Sequence, residues 1–419
     1  MKYLDNHFAP VAEEITAFDL AVTGRIPDEL NGRYLRNGPN PLGVEDPAAH
    51  IWGMGQGMVH GIRLREGRAQ WYRNRFVRTP GFAPMVHVLE HAGRVFAMAE
   101  GGLPPAELDD ELNTVGLGDL GCTPEGFTAG AHAKHDPVTG ELHSLSYMPG
   151  RDFVQHIVTG AAGEIVRATT IPMPRTPFLH DFALTRDHVV LWDTPLGFDG
   201  FDCRWLPQHP TRVGVMSRSG GDVRWLEIGP VHVSHTLNAY DDGDSIVLDL
   251  VTAEEPFDPA DPGGIRPVLD RWTLTADRIH QRRIDDRPQD FPRVNEAYTS
   301  RPYRYGYSAA SALYGVPFVP DGVTPDGAFS NALVKHDLVG GTAEVHGFGA
   351  EEAVGEAVFV ASGSEEDEGY LLTYVHNPQR DAADLVILAA QDFTGDPVAR
   401  VHLPGRVPLG LHGNWLPDR

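Results

Sequence analysis

Cysteine is scarce: Cys122 and Cys203 are the two in 419 residues, and no CxxC pair occurs. That excludes a disulfide framework and a thiolate metal site. Both are read as small hydrophobes destined for burial. Positive charge is scarce as well. Thirty-four Lys and Arg face 58 Asp and Glu, a net charge of −24. So acidic a surface repels phosphate backbones and anionic headgroups, which excludes nucleic acid as a partner and argues against electrostatic docking on a membrane. A transient apolar membrane contact during substrate uptake stays compatible with this charge. Long apolar runs are missing, and none approaches the ~18 residues of a membrane span. The opening MKYLDNHFAPVAEE lacks an apolar core and carries acids early, so no signal peptide is read there and a cytoplasmic location is expected.

Helical periodicity is also thin, with 104–112 the one stretch read as a helix longer than two turns. HExxH, GxSxG and Walker A signatures are absent. The glycine-rich GMGQGMVHG at 53–61 lacks the spacing of a dinucleotide fingerprint and reads as a turn feeding a strand over 60–64.

What remains is short apolar runs punctuated by turns, with 46 Gly and 34 Pro between them. Strands are expected at 69–72, 95–99, 142–147, 189–193, 223–226, 246–251, 358–361, 371–375 and 385–390. The segment TPFLHDFALTRDHVVLW at 176–192 sets the pattern. His180 opens an alternating run, Thr185-Arg186-Asp187 turns the chain, and Val189 to Trp192 return as a strand. His132 before Asp136-Pro137-Val138-Thr139-Gly140 and His235 before Asp241-Asp242-Gly243-Asp244 repeat it. The intervals, 180 − 132 = 48 and 235 − 180 = 55, match propeller blades of roughly 40 to 50 residues. Blades are radial, so equivalent strand ends converge on one axis, and three histidines placed there could share a metal ion. His412 is a fourth candidate. Neutral imidazole suits iron, copper, zinc and nickel. Such ligands usually donate their second ring N–H to a carboxylate or carbonyl, so buried acids are expected nearby. Other histidines, including His143, His156, His188, His209 and His402, are read as ordinary hydrogen-bonded residues. No linker divides the chain, and residues 1–419 are read as a single all-β propeller domain.

Nine blocks carry a resemblance. They are NGRYLRNGPNP at 31–41, GMVHG at 57–61, AMAEGGLP at 97–104, AHAKHDPVTGEL at 131–142, LHDFALT at 179–185, SHTLNAYDDGD at 234–244, DFPRVN at 290–295, GEAVFV at 355–360 and LPGRVPLGLHG at 403–413. In this order, and over nearly the whole chain, the sequence resembles the carotenoid cleavage oxygenases, a family that includes apocarotenoid- and stilbene-cleaving enzymes. The resemblance implies a seven-bladed β-propeller, with loops and short helices forming a dome over the metal-bearing face. It implies Fe(2+) held by His132, His180, His235 and His412. It also implies that Glu100, Asp290 and Glu356 brace three of those rings. Asp290 stands where the family usually has Glu, so its hydrogen bond is expected to be longer or bridged by water.

The implied reaction is cleavage of a carbon–carbon double bond by O2 into two carbonyl products, with the alkene in a dry, apolar tunnel. A carotenoid or apocarotenoid is the preferred substrate. A stilbenoid or phenylpropanoid alkene is the alternative. Lys134 matches the lysine with which stilbene-cleaving relatives grip a phenol; Val59 and Gly101 stand at the matching phenylalanine and tyrosine positions. Trp52, in WGMGQGM, is assigned to the substrate wall. A propeller that binds without catalysing is disfavoured by the four intact histidines.

Overall fold

The computed structural model describes residues 3–47, 50, 53–82, 84–199, 202–256, 266–310, 330–349 and 352–418. The chain forms seven main sheets arranged as a seven-bladed β-propeller. Blades 2, 3, 5 and 6 are consecutive meanders: His87–His91 to Thr114–Leu117, Lys134–His135 to Ile165–Pro172, His232–Asp242 to Ile279–Asp285, and Gln289–Arg293 to Thr342–Gly347. Blade 4 starts with Ala183–Leu184 and His188–Asp193. It is interrupted by a two-stranded hairpin, Leu196–Asp199 with Asp202–Trp205, and then resumes. That hairpin is tied by a Pro177–Gly197 bridge to the segment leading into His180, so it stands on the histidine-bearing face.

The first and seventh blades close the ring. Gly32–Arg36 pairs antiparallel with Gly413–Pro417, and Val22–Gly24 pairs with Ala399–His402. The inner and middle strands read as continuous apolar runs because both faces are covered. Val189, Val190 and Leu191 are all fully buried. Outer strands alternate instead, as in Ile165–Pro172, where exposed and half-buried residues follow one another. The apolar core is divided among the seams between neighbouring blades. Trp192 of blade 4 packs with Leu248 and Trp272 of blade 5, and Leu89 and Phe96 of blade 2 pack with Leu142 of blade 3. Burial at about 25 cal/mol per Å2 makes each such seam a large stabilising surface, and it fixes how far each inner strand stands from the axis.

Three expectations are corrected. Residues 104–112 hold no helix: Ala106–Leu108 is a strand with buried Ala106 and Leu108, and Asp109 turns the chain by accepting from Glu111 N–H at 2.9 Å and Asn113 N–H at 2.8 Å. The apolar residues there recur with period two, which a strand satisfies and a helix does not. The dome has no α-helix among the described residues; the helical pieces are single 3-10 turns at Asn6–Phe8 and Glu296–Tyr298. Cys122 is exposed rather than buried, on a loop outside the blade seams. The side chain of Cys203 lies outside the described set. No helix among the described residues is long and apolar enough to cross a membrane.

Candidate metal centre

Each candidate histidine sits where the chain comes off the histidine-bearing face and starts down an inner strand. His132 precedes Lys134–His135, His180 precedes Ala183–Leu184, His235 is the fourth residue of the strand His232–Asp242, and His412 immediately precedes Gly413–Pro417. The radial arrangement brings all four together. One nitrogen from each lies within 4.8 Å of the others, and the centroids of the ring pairs in contact stand 4.2 Å (His132–His180) to 5.2 Å (His132–His235) apart. The Nε2 atoms of His180 and His235 are 3.2 Å apart. With metal–imidazole bonds of about 2.1 Å, two ligands at right angles stand about 3 Å apart, so this spacing fits a shared ion. His132 Nε2 is buried with no hydrogen-bond partner, as expected of a nitrogen reserved for a metal.

Carboxylates fix the other side of three rings. Glu100 Oε1 lies 3.2 Å from His180 Nδ1 and accepts from the Tyr147 hydroxyl at 2.9 Å. Glu356 Oε1 lies 3.0 Å from His412 Nδ1, and its Oε2 accepts from Gly413 N–H at 2.8 Å. Asp290 Oδ1 lies 2.7 Å from His235 Nδ1. This contact is direct and the shortest of the three, against the longer or water-bridged bond expected of the shorter side chain. The backbone makes up the missing methylene. A register shift between Asp290 and Arg293 coincides with a left-handed φ of 53° at Phe291, and Phe291 N–H donates to the same Oδ1 at 2.8 Å. The bulge carries the carboxylate toward the ring.

Electrostatics favour the neutral, metal-binding form at two of the four rings, His132 and His412. Burial, reinforced by the neighbouring imidazoles, lowers the pKa of His132 well below the ordinary range. Burial also lowers that of His412, although Glu356 opposes it. At His180 burial works in the same direction, but Glu100, together with Asp181 and Asp290, outweighs it and raises the value. Burial would raise the pKa of Glu356, yet Arg293 and His412 hold it down to about 2. Neutral imidazoles against ionised carboxylates are what ligation requires.

A cavity of about 140 Å3 runs down the axis behind His132, His235 and His412, lined by Lys134, Asp181, Asn238, Arg293 and Glu296 among others. It is smaller than the about 300 Å3 at which ligand pockets begin, and charged and apolar side chains share its lining, so it is too small and too mixed to be a polyene tunnel. Aromatic rings cover two of the imidazoles: Phe178 stacks on His180 at 5.9 Å, and Phe291 on His235 at 5.5 Å.

Of the proposed substrate contacts, Lys134 does line the axial cavity. Its Nζ is 2.9 Å from Asp181 Oδ1 and sits over the Phe182 ring at 5.3 Å. Val59 is placed elsewhere: it is fully buried in the seam of blades 1 and 2 with Leu35, Trp71 and Val77, because consecutive apolar residues of Gln56–Arg65 are consumed by packing. Trp52 lies outside the described residues.

Sequence reading missed Asp181, which accepts from Thr236 N–H at 2.7 Å and ties two histidine-bearing strands together. Its position directly after His180 was an available signal. It also missed Arg293, whose Nη1 is 3.3 Å from Glu356 and 3.0 Å from Gly413 O. A second grouping, Asp136, Glu141 and His143, has metal-like spacing. The Arg218 guanidinium already fills it, at 2.6 Å from Asp136 and 2.7 Å from His143 Nε2.

Imidazoles gathered on a propeller axis and braced by carboxylates define a class: a β-propeller with a histidine metal centre. Comparison with known proteins gives the family. The model of the retinal pigment epithelial membrane protein family matches residues 8–84 and 83–417. A carotenoid cleavage oxygenase of Mycobacterium tuberculosis is 40% identical over 497 aligned positions, covering 99% of this chain and 97% of that protein. An isoeugenol monooxygenase of Pseudomonas nitroreducens is 28% identical, covering 97% and 96%. The crystal structure of Pseudomonas brassicacearum lignostilbene dioxygenase superposes with a TM-score of 0.89 at 25% identity, covering 99% of this chain and 98% of that one. The chain belongs to this family, the carotenoid cleavage oxygenases, and is an oxygenase.

Proposed function

We propose that residues 1–419 act as one propeller domain that cleaves a carbon–carbon double bond of a carotenoid or apocarotenoid with O2, giving two carbonyl products. The observation that carries this reading is the convergence of His132, His180, His235 and His412, with Glu100, Asp290 and Glu356 on three of the rings. These four histidines would hold Fe(2+). When bound, the iron supplies dioxygen activation, so no side chain has to serve as nucleophile or general base. The protein supplies geometry. The carboxylates fix ring orientation and tautomer. Phe178 and Phe291 wall the rings with apolar surface and exclude water on that side. Lys134 and Asp181, paired with each other, hold Ala183–Leu184 and His232–Asp242 in register below the centre.

The 40% identity to a carotenoid cleavage oxygenase favours the carotenoid class. A second reading, cleavage of a phenolic alkene to an aromatic aldehyde, is supported by the likeness to isoeugenol monooxygenase and lignostilbene dioxygenase. Lys134 does not support it, because its ammonium is engaged by Asp181. The test is mass-spectrometric product analysis after anaerobic Fe(II) loading and exposure to O2, with apocarotenals, β-carotene, isoeugenol and resveratrol. Two carbonyl fragments from the polyene are expected. Aromatic aldehyde from the phenols alone would overturn the preference.

A further inference from the structure

The Gly413 peptide, directly after His412, is gripped on both sides. Its N–H donates to Glu356 Oε2 at 2.8 Å, and its carbonyl accepts from Arg293 Nη1 at 3.0 Å. The same Nη1 stands 3.3 Å from Glu356 Oε2, so guanidinium, carboxylate and peptide form a closed triangle. The other carboxylate oxygen, Oε1, faces His412 Nδ1 at 3.0 Å. The second arm of the guanidinium, Nη2, donates to Glu296 Oε1 at 2.6 Å and to Asn414 Oδ1 at 3.2 Å. His87 Nε2 also lies 3.3 Å from the Gly413 carbonyl. Arg293 ends the strand Gln289–Arg293, three residues after Asp290, whose carboxylate faces His235. Glu356 leads into Val358–Ala361 of blade 7, and Gly413 opens the strand that closes the ring. One guanidinium therefore joins blade 6, blade 7 and the closing strand at the point where His412 is presented. The Arg293 and Glu356 side chains are 12% and 2% exposed, so little water competes for these bonds. A rigid planar fork is what a guanidinium offers such a junction and an ammonium does not.

We propose that Arg293 is a positioning residue of the metal centre: by holding Glu356 and the Gly413 peptide together, it sets the direction of the His412 ring. Glu356 fixes where Nδ1 points. Arg293 fixes where Glu356 stands relative to the chain that carries the ring. Without the guanidinium the carboxylate and the peptide shift independently, and the fourth imidazole leaves the point it shares with the other three. Arg293 also lines the axial cavity, so truncating its side chain opens a space continuous with that cavity, which a small guanidinium from solution can fill. This rests on the reading of the four histidines as metal ligands and adds the group that aims the fourth.

The test measures Fe(II) and Co(II) affinity by anaerobic chelator competition, the visible spectrum of the Co(II) protein, and the melting temperature of the metal-free protein. Wild type, Arg293→Ala and Arg293→Lys are compared, with Glu356→Gln as a reference. Arg293→Ala is expected to bind both metals about 10- to 100-fold more weakly, the range for removing the support of a ligand, and to shift the Co(II) spectrum. Millimolar methylguanidinium restores affinity and spectrum in Arg293→Ala and changes neither in wild type nor in Glu356→Gln. Arg293→Lys keeps the charge without the fork, and is expected to melt near wild type while binding about tenfold more weakly. It carries the test alone should Arg293→Ala not fold. Wild-type affinity and spectrum in either folded variant overturn the assignment. So does a loss in folded Arg293→Ala that methylguanidinium leaves unrepaired, which makes Arg293 a structural ion pair. Wild type that takes up neither metal defeats the four-histidine reading itself, whereas tight binding by wild type and both variants defeats only the role of Arg293.

Discussion

The nitrogen of one imidazole decides whether the centre exists. His180 lies 3.2 Å from both Glu100 and His235 Nε2, so it joins the carboxylate support to the shared point. His180→Ala is expected to reduce iron, measured by elemental analysis of anaerobically loaded protein, to background while the fold persists by circular dichroism. Full occupancy would mean that His180 is no ligand. Asp290 makes a subtler case. Its 2.7 Å contact depends on a backbone bulge shaped for the shorter acid. Asp290→Glu should therefore weaken iron binding despite restoring the commoner residue, because the extra methylene has no room at 1% exposure. A loss of roughly 10-fold is expected, within the range for altered support of a ligand. Tighter binding in competitive chelator titrations would show that the bulge does not compensate. His132, His180 and His235 were legible because each sits in a repeated local context, whereas the ligand role of His412 and the acids Glu100, Asp290 and Glu356 followed only from the family resemblance. The bulge was not, since a left-handed φ at a phenylalanine leaves no mark in a residue pattern.

At the scale of elements, hairpins were legible wherever apolar runs alternated around a turn. Ala183 pairs with Val190 and Leu184 with Val189, as the segment around His180 predicts. Residues 104–112 were misread because Glu107, Asp109, Asp110 and Glu111 among leucines imitate an amphipathic helix, while the sheet neighbours that decide the matter are remote in sequence. The loop bearing His412 is held by another loop. Asn37 N–H donates to His412 O at 3.1 Å, and Leu411 N–H donates to Asn37 O at 3.2 Å. A Cβ added to Gly38 would stand 2.7 Å from the Gly410 Cα. The Gly410 Cα is backbone and a Cβ is fixed by its own backbone, so neither can rotate away. Gly38→Ala should cost about 1–3 kcal/mol in urea unfolding and also weaken iron retention. Unchanged stability and metal affinity would show that the two loops are free to separate.

At the scale of the molecule, acid sensitivity follows from the many neutral histidines sealed in the blades. Burial, then His156 and Arg218, hold the His143 pKa down to about 2. Burial, then Arg167 and Arg218, hold that of His156 down to about 3. The unfolded chain titrates these groups near 6.5, so below that pH it takes up protons the folded state refuses. Stability is therefore full above about pH 6.5 and declines toward the folded values as pH falls. Thermal melts at pH 7, 6 and 5 should show a steady drop in midpoint. A flat profile would show that these rings titrate normally. The blade repeat was legible from the 48- and 55-residue intervals. Ring closure was not, because the pairing of Tyr34 with Trp415 spans nearly the entire chain and has no local signature.

That closure has its own consequence. The fourth imidazole hangs on the strand that joins the two ends of the circle, whereas the other three belong to consecutive blades on the far side. An ion held by all four would act as a rivet across the seam, and chelation would turn a locked hoop into one that opens first at a single known joint.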